Sequence, residues 1–211
     1  MNNSILCLTR DDPEYSHDRQ VKDFIEGGGR FIQFRSKTLP PDMLFKQATQ
    51  ATNHAKACDA KLVINDHIEL AREIDAHGVH LGASDGTVSK ARSILSKGKI
   101  VGRTVHSIEE AVSVKRESPD YIGLGPYRTS TTKKDLQPVL SDDQFQSIVE
   151  ILDPIPVYLI GGLSTDDFPL IQSFGLRGIA LCSALFSVSN LMEQTKLAVE
   201  KSRAFPELSS C

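Results

Sequence analysis

Eight short apolar runs punctuate the chain: "SILCLT" (4–9), "RFIQFRS" (30–36), "KLVIND" (61–66), "GVHLG" (78–82), "IVGRTV" (100–105), "YIGLG" (121–125), "IPVYLIGG" (155–162) and "GIALCSAL" (178–185). They are apolar almost continuously rather than at every second residue, as strands buried on both faces of a parallel sheet must be. The stretches between them carry helical signals. Leu44, Ala48, Ala51 and Ala55 recur along one face of a helix. Ser107-x-x-Glu110 and Ser141-x-x-Gln144 have the spacing of a capping box, with Asp66-x-x-Glu69 a looser version. Pro40 and Pro41 stand where a first helical turn tolerates proline. Eight strand–helix units in 211 residues predict an α/β fold, a single-domain (β/α)8 TIM barrel over residues 1–211, near the lower size limit of such barrels. The alternative is a doubly wound open sheet. It seldom uses eight units this evenly, and no GxGxxG follows the first run.

A barrel of this kind does its chemistry at the C-terminal ends of its strands, and the polar residues collect there. The second run ends in Gln33, Arg35 and Lys37, the third in Asn65 and Asp66, and the fourth leads into His80 and Asp85. The fifth ends at Arg103 and Thr104, the seventh in Gly161-Gly162, and the eighth in Cys182-Ser183-Ala184. The sixth opens into "GPYRTSTTKKD" (125–135), with four hydroxyl residues (Thr129, Ser130, Thr131, Thr132) and three cations (Arg128, Lys133, Lys134) in eleven positions. That recipe suits a segment built to hold an anion. Arg35 and Lys37, two apart on a strand, would face the same space. Asp66 and Asp85, from neighbouring strands, would bring two carboxylates to one rim, a donor set suited to Mg²⁺. Each acid has a plainer reading beside this one: Asp66 as the N-cap of the next helix, Asp85 as a turn residue before Gly86. The glycine pair and the turn after the eighth run form the expected phosphate cup, built from backbone N–H groups and a helix N-terminus. Two anion sites imply two phosphorylated substrates, one of them a diphosphate. No nucleophile–base pair stands out. His80 reads as structural, and His106 as a residue that caps or lines the site.

Charge and composition narrow the partners. A net charge of −3 and a pI of about 6.1 exclude a polymer-wide basic surface, so no nucleic-acid partner is expected and the cations must serve a small anion. Hydrophobic and charged contents of 40% and 24% are those of a folded globular chain. Cys7, Cys58, Cys182 and Cys211 are scattered, which suggests neither a zinc ribbon nor a disulfide scaffold and fits reduced thiols in a cytoplasm. No apolar run reaches the roughly 20 residues of a membrane span, and "ILCL" is too short for a signal peptide. The pattern leaves oligomeric state open, a homo-oligomer included.

Taken in order and spacing, "IQFRSK", "VINDHIELA", "GVHLGASD", "GPYRTSTTKKD" and "IGGL" resemble the thiamine-phosphate synthase family over roughly residues 30–186. The resemblance implies an enzyme that joins a hydroxymethylpyrimidine diphosphate to a thiazole phosphate, forming thiamine phosphate and releasing diphosphate. It implies Mg²⁺ on Asp66 and Asp85, and the diphosphate gripped by Arg35, Lys37, Asn65 and Lys133. Gln33 would lie near the pyrimidine, Thr104, Ser130 and Thr132 would line the reactive region, and Gly162 and Ser183 would take the thiazole phosphate. The chain departs from the family pattern at Thr104, where serine is usual, at Arg103 before it, at Ala83 in place of a frequent Gln, and at Ser130 in place of a frequent Thr. Arg103 would alter the pocket if it pointed inward. "TVHSIEEAV" resembles a related thiazole tautomerase, an isomerase on the same fold. The presence of Asp85, and Pro126 after the glycine of the sixth run, favour the synthase. A third reading is a non-catalytic sensor of phosphorylated ligands, which would need the cup but not the carboxylates.

Overall fold

In the computed structural model, residues 4–82, 84–128, 140–187 and 190–206 are described. The strands are β1 (Ile5–Leu8), β2 (Phe31–Phe34), β3 (Lys61–Asn65), β4 (Gly78–Leu81), β5 (Ile100–Val105), β6 (Tyr121–Leu124), β7 (Val157–Ile160) and β8 (Gly178–Leu181). They alternate with α1 (His17–Glu26), α2 (Pro41–Ala57), α3 (Ile68–Glu73), α4 (Val88–Ile94), α5 (Ile108–Glu117), α6 (Asp142–Leu152), α7 (Pro169–Ser173) and α8 (Leu191–Ser202). Neighbouring strands pair in sequence order, and β1 pairs parallel with β8, so the sheet is a closed barrel. That closing pair eliminates the open doubly wound sheet.

Closure explains why the strands read as continuously apolar. Alternate residues point inward and outward, and neither side meets water. Ile5, Cys7, Ile32, Phe34, Leu62, Ile64, Val79, Leu81, Ile179 and Leu181 face the helices as part of one large core. Leu6, Phe31, Val63, Tyr121, Tyr158 and Ala180 form a second cluster that plugs the barrel interior. Phe31, Tyr121 and Tyr158 meet pairwise with ring centroids 5.2 to 5.7 Å apart, the edge-on and tilted arrangements that aromatic quadrupoles favour. The interior is therefore a packed floor beneath the C-terminal mouth.

The helix signals resolve one by one. Pro40 caps α2 with Pro41 as its first residue, and Ala48, Ala51 and Ala55 on its inner face are fully buried. Ser141 and Gln144 form a complete capping box at α6. Ser107 forms half of one: its hydroxyl accepts the Glu110 N–H, while the Glu110 carboxylate accepts the N–H of His106 at 2.7 Å, one residue too early. Asp66 and Glu69 form none, because His67 rather than Asp66 occupies the N-cap of α3. No helix among the described residues is long and apolar enough to cross a membrane.

Candidate active site

The inward-facing polar residues just above the floor form two hydrogen-bonded sets. Gln33 on β2 donates from Nε2 to Oδ1 of Asn65 on β3 at 2.6 Å, and both side chains are buried. His80 on β4 is buried too, with Nδ1 2.9 Å from the Tyr121 hydroxyl and Nε2 2.8 Å from Oγ1 of Thr104 on β5. The imidazole thus ties the floor to the mouth and orients Thr104, the structural role expected of it. Thr104 is partly exposed.

Above these two sets lie the acids. Asp66 follows β3 with a φ of 68°, a left-handed conformation that non-glycine residues adopt at some cost. The N-cap reading fails here for a physical reason: an N-cap needs extended backbone. The turn instead aims the carboxylate across to the loop after β4. There Asp85 accepts the Gly82 N–H on Oδ2 at 2.8 Å, the turn role expected of it, and its carboxyl group lies within hydrogen-bonding reach of Asp66. Partial burial and the Asp66 carboxylate push the Asp85 carboxyl above its ordinary pKa, against smaller opposing effects of the Gly82 N–H and Lys37. Lys37 Nζ donates to Asp66 Oδ2 at 2.6 Å. Two carboxyl groups thus meet with one ammonium beside them.

The two cations of the second run are not strand residues. β2 ends at Phe34, so Arg35 and Lys37 stand on the turn beyond it and strand alternation does not set their direction. Lys37 reaches towards β3. Arg35 lies on the other side, close enough to Cys182 at the end of β8 for its charge to lower the thiol pKa against the larger, raising effect of burial. Arg10, just past β1, acts on the same thiol, and its guanidinium lies 4.9 Å from the Phe186 ring centroid. The pattern of apolar runs gave Arg10 no prominence, since its "TRDD" surroundings read as an ordinary loop.

At the ends of β7 and β8, where the phosphate cup was expected, the chain turns sharply. Gly161 and Gly162 have φ of 102° and 64°, and a Cβ on Gly161 would lie 2.7 Å from that of Pro126. Two successive left-handed residues bend the chain sharply over the barrel, which only glycine does without strain. A 3₁₀ turn at Thr165–Asp167 follows, capped by Ser164. Ser183 is exposed on a turn closed by the Leu185 N–H to Cys182 O and the Phe186 N–H to Ser183 O. The residues after β8 thus form a turn rather than the helix N-terminus expected there, and α8 starts at Leu191.

Three further residues find assignments. Arg128 does not serve as a free anion-binding cation: its Nη1 and Nη2 clasp the two carboxylate oxygens of Asp167 at 2.9 and 2.7 Å. Burial would raise the Asp167 pKa, but this pair and the Ser164 N–H hold it below its ordinary value. Arg103 faces outward and leaves the pocket unaltered, because its Nη1 donates to the carbonyls of Gly82 and Gly86 at 2.5 and 2.7 Å and braces the loop that carries Asp85. His106 pairs through Nδ1 with the Gly125 carbonyl and so links the ends of β5 and β6. Lys133, Ser130 and Thr132 lie outside the described residues, as do Ala83 and Lys134.

A family model described as thiamine monophosphate synthase matches residues 5–185. A thiamine-phosphate synthase of Bacteroides fragilis is 36% identical over 197 residues, covering 92% of this chain and 97% of that one. One from Phocaeicola vulgatus is 38% identical over 186 residues, covering 86% and 89% respectively. Among solved structures, a thiamine phosphate pyrophosphorylase from Pyrococcus furiosus superposes with a TM-score of 0.84 at 26% identity, covering 97% of this chain and 98% of that chain. The barrel, its polar mouth and these relatives lead to one conclusion: this chain belongs to the thiamine monophosphate synthase family.

Proposed function

We propose that the protein is a Mg²⁺-dependent thiamine-phosphate synthase. It joins 4-amino-2-methyl-5-hydroxymethylpyrimidine diphosphate to thiazole phosphate and releases diphosphate. The observation that carries this reading is the convergence of Asp66, Asp85 and Lys37 at the mouth of a barrel whose family performs this synthesis.

The residues fit a hard divalent cation. Mg²⁺ commonly takes one or two carboxylates and completes its shell with water and substrate phosphate oxygens, and Asp66 and Asp85 offer two carboxyl groups side by side. When bound, the ion would neutralise charge on the diphosphate. The chain's own residues do the rest. Arg35, Lys37, Asn65 and Lys133 bind the diphosphate and stabilise the negative charge that grows as the C–O bond breaks. Electron donation from the aminopyrimidine ring lets that bond break with carbocation character. Gln33, fixed by its bond to Asn65, orients the pyrimidine. Thr104, Ser130 and Thr132 line the space around the reacting carbon, with Thr104 aligned by His80. Gly162 and Ser183 hold the thiazole phosphate so that its ring nitrogen meets the methylene carbon in line, which is catalysis by positioning. That nitrogen carries its own lone pair, so no general base is needed.

The test is to mix purified protein with both phosphorylated substrates and Mg²⁺ and to assay thiamine phosphate and diphosphate. Formation of both in equal amounts, lost on chelation, is the expected outcome. Tight binding of thiazole phosphate without turnover would point instead to a ligand sensor.

A further inference from the structure

Arg35 and Lys37 stand on an irregular turn, yet the turn is held at three successive residues from one direction. Thr9, at the end of β1, accepts the Arg35 N–H on its hydroxyl at 2.8 Å, and the same oxygen lies 3.2 Å from the Arg35 carbonyl. Asp11 takes the next two residues: Oδ1 accepts the Ser36 hydroxyl at 2.5 Å and Oδ2 accepts the Lys37 N–H at 2.8 Å. Ser36 Oγ in turn accepts the N–H groups of Thr38 and Leu39 at 3.3 and 3.1 Å, leading into α2.

One buried residue joins these two anchors. His17, the first residue of α1, is 2% exposed, with Nε2 3.1 Å from Asp11 Oδ1 and Nδ1 2.8 Å from Thr9 Oγ1. A carboxylate only accepts, so Nε2 carries the proton. Burial lowers the imidazole pKa and favours the neutral ring, despite the opposing pull of Asp11. Nδ1 is then an acceptor for the Thr9 hydroxyl, which leaves a lone pair on that oxygen for the Arg35 N–H. The chain Asp11–His17–Thr9–Arg35 is consistently directed, each group donating one way. His17 is itself fixed by its own N–H to Gln47 Oε1 at 2.8 Å.

A carboxylate beside a lysine would ordinarily pair with the ammonium. Here Asp11 binds the Lys37 backbone instead and leaves Nζ to reach Asp66 at 2.6 Å. Thr9 likewise holds Arg35 by its backbone alone. The network thus fixes where both cations start without neutralising either.

We propose that Asp11, acting through this network, is the positioning residue that presents Arg35 and Lys37 to the diphosphate. The proposal rests on the synthase reading above, since that reading supplies the diphosphate. Asp11 itself touches no reacting atom. Its contribution is to remove the ordering cost that a free turn would incur on binding.

The experiment compares the full-length wild type with Asp11→Ala. Calorimetry measures inorganic diphosphate binding with Mg²⁺, steady-state kinetics gives KM for each substrate, and thermal melts report stability. Asp11→Ala should weaken diphosphate binding about tenfold or more, the equivalent of one or two charge-assisted hydrogen bonds. KM for the pyrimidine diphosphate should rise in parallel while KM for thiazole phosphate rises several-fold less, because the turn of Ser183 closes on its own backbone although Arg35 lies near Cys182. Asp11→Asn, which keeps the shape and part of the bonding, should recover part of the loss. If Asp11→Ala does not fold, Ser36→Ala and Thr9→Val each cut one strand of the network and should show the same split between substrates. Wild-type diphosphate affinity in the variants would overturn the positioning role and leave the synthase reading intact. Equal losses for both substrates would also overturn it, as a merely structural effect. A wild type that neither binds diphosphate nor forms thiamine phosphate would overturn the reading itself.

Discussion

Replacing Asp85 with asparagine should make the metal-free protein more stable while abolishing the Mg²⁺-dependent activity proposed above. The side chain keeps its size, and an amide oxygen can still accept the Gly82 N–H that Asp85 accepts at 2.8 Å. What disappears is a negative charge beside the Asp66 carboxylate. Two unit charges about 4 Å apart repel by about 1 kcal/mol in bulk water and about 4 kcal/mol at an effective dielectric near 20. Lys37, 2.6 Å from Asp66, offsets part of this, so a net gain of about 1–2 kcal/mol is expected. For a chain of this size that raises the melting temperature by about 2–8 °C. Melts in chelator at neutral pH measure it. With Mg²⁺ added, the wild type should rise by ligand linkage and the variant should not. The pH dependence has a definite sign. The folded Asp85 carboxyl binds its proton more tightly than the unfolded one, whose pKa is near 3.8, so the metal-free wild type loses stability as pH rises from that value through the raised one. The variant should lack this slope. A metal-free variant no more stable than wild type, or one still stabilised by Mg²⁺, would refute the argument that the two acids are held together for a cation.

Lys133→Ala is expected to lower kcat by about ten- to a hundredfold with a smaller effect on substrate affinity, since the charge it meets peaks in the transition state; a change confined to KM would contradict this. Arg103→Met removes the donor to the Gly82 and Gly86 carbonyls and should cost about 1.5–3 kcal/mol in urea unfolding, with a higher Mg²⁺ requirement for turnover. An unchanged midpoint would show that the loop holds itself. Asp167→Asn should cost about 1 kcal/mol at neutral pH, discounted for the half-exposed Arg128. The Asp167 carboxyl is held below its ordinary 3.8, so its stabilisation is present above that value and is lost as pH falls through the lowered one. The gap between variant and wild type should therefore close in acid, and a gap independent of pH would refute the ion-pair origin.

The barrel was legible because burial on both strand faces leaves a one-dimensional trace. Each strand packs one face on the helices and the other on the floor of Phe31, Tyr121 and Tyr158, so both sets of positions must be apolar. The strand ends gave the candidate site for the same reason: polar residues are affordable only where the packed interior stops. Local rules also read α2 and the α6 capping box correctly, since these depend on neighbours three or four residues away.

Side-chain direction was another matter, because it depends on partners distant in the chain. Nothing near Arg128 indicated that Asp167, 39 positions on, would claim it, and nothing near Arg103 showed that it would turn outward to the loop of Asp85. Asp66 has the sequence of an N-cap and the backbone of a strained turn, a conformation fixed by strands on either side rather than by local propensity. Asp11 and His17 lie in a stretch with no motif, and become a support for Arg35 and Lys37 only when β1 lies against β2. Sequence by itself determined which residues must avoid water, and hence the fold and the location of the mouth. Tertiary structure alone decided which charges are paired and which remain for a ligand, because that choice is made by closure of the barrel.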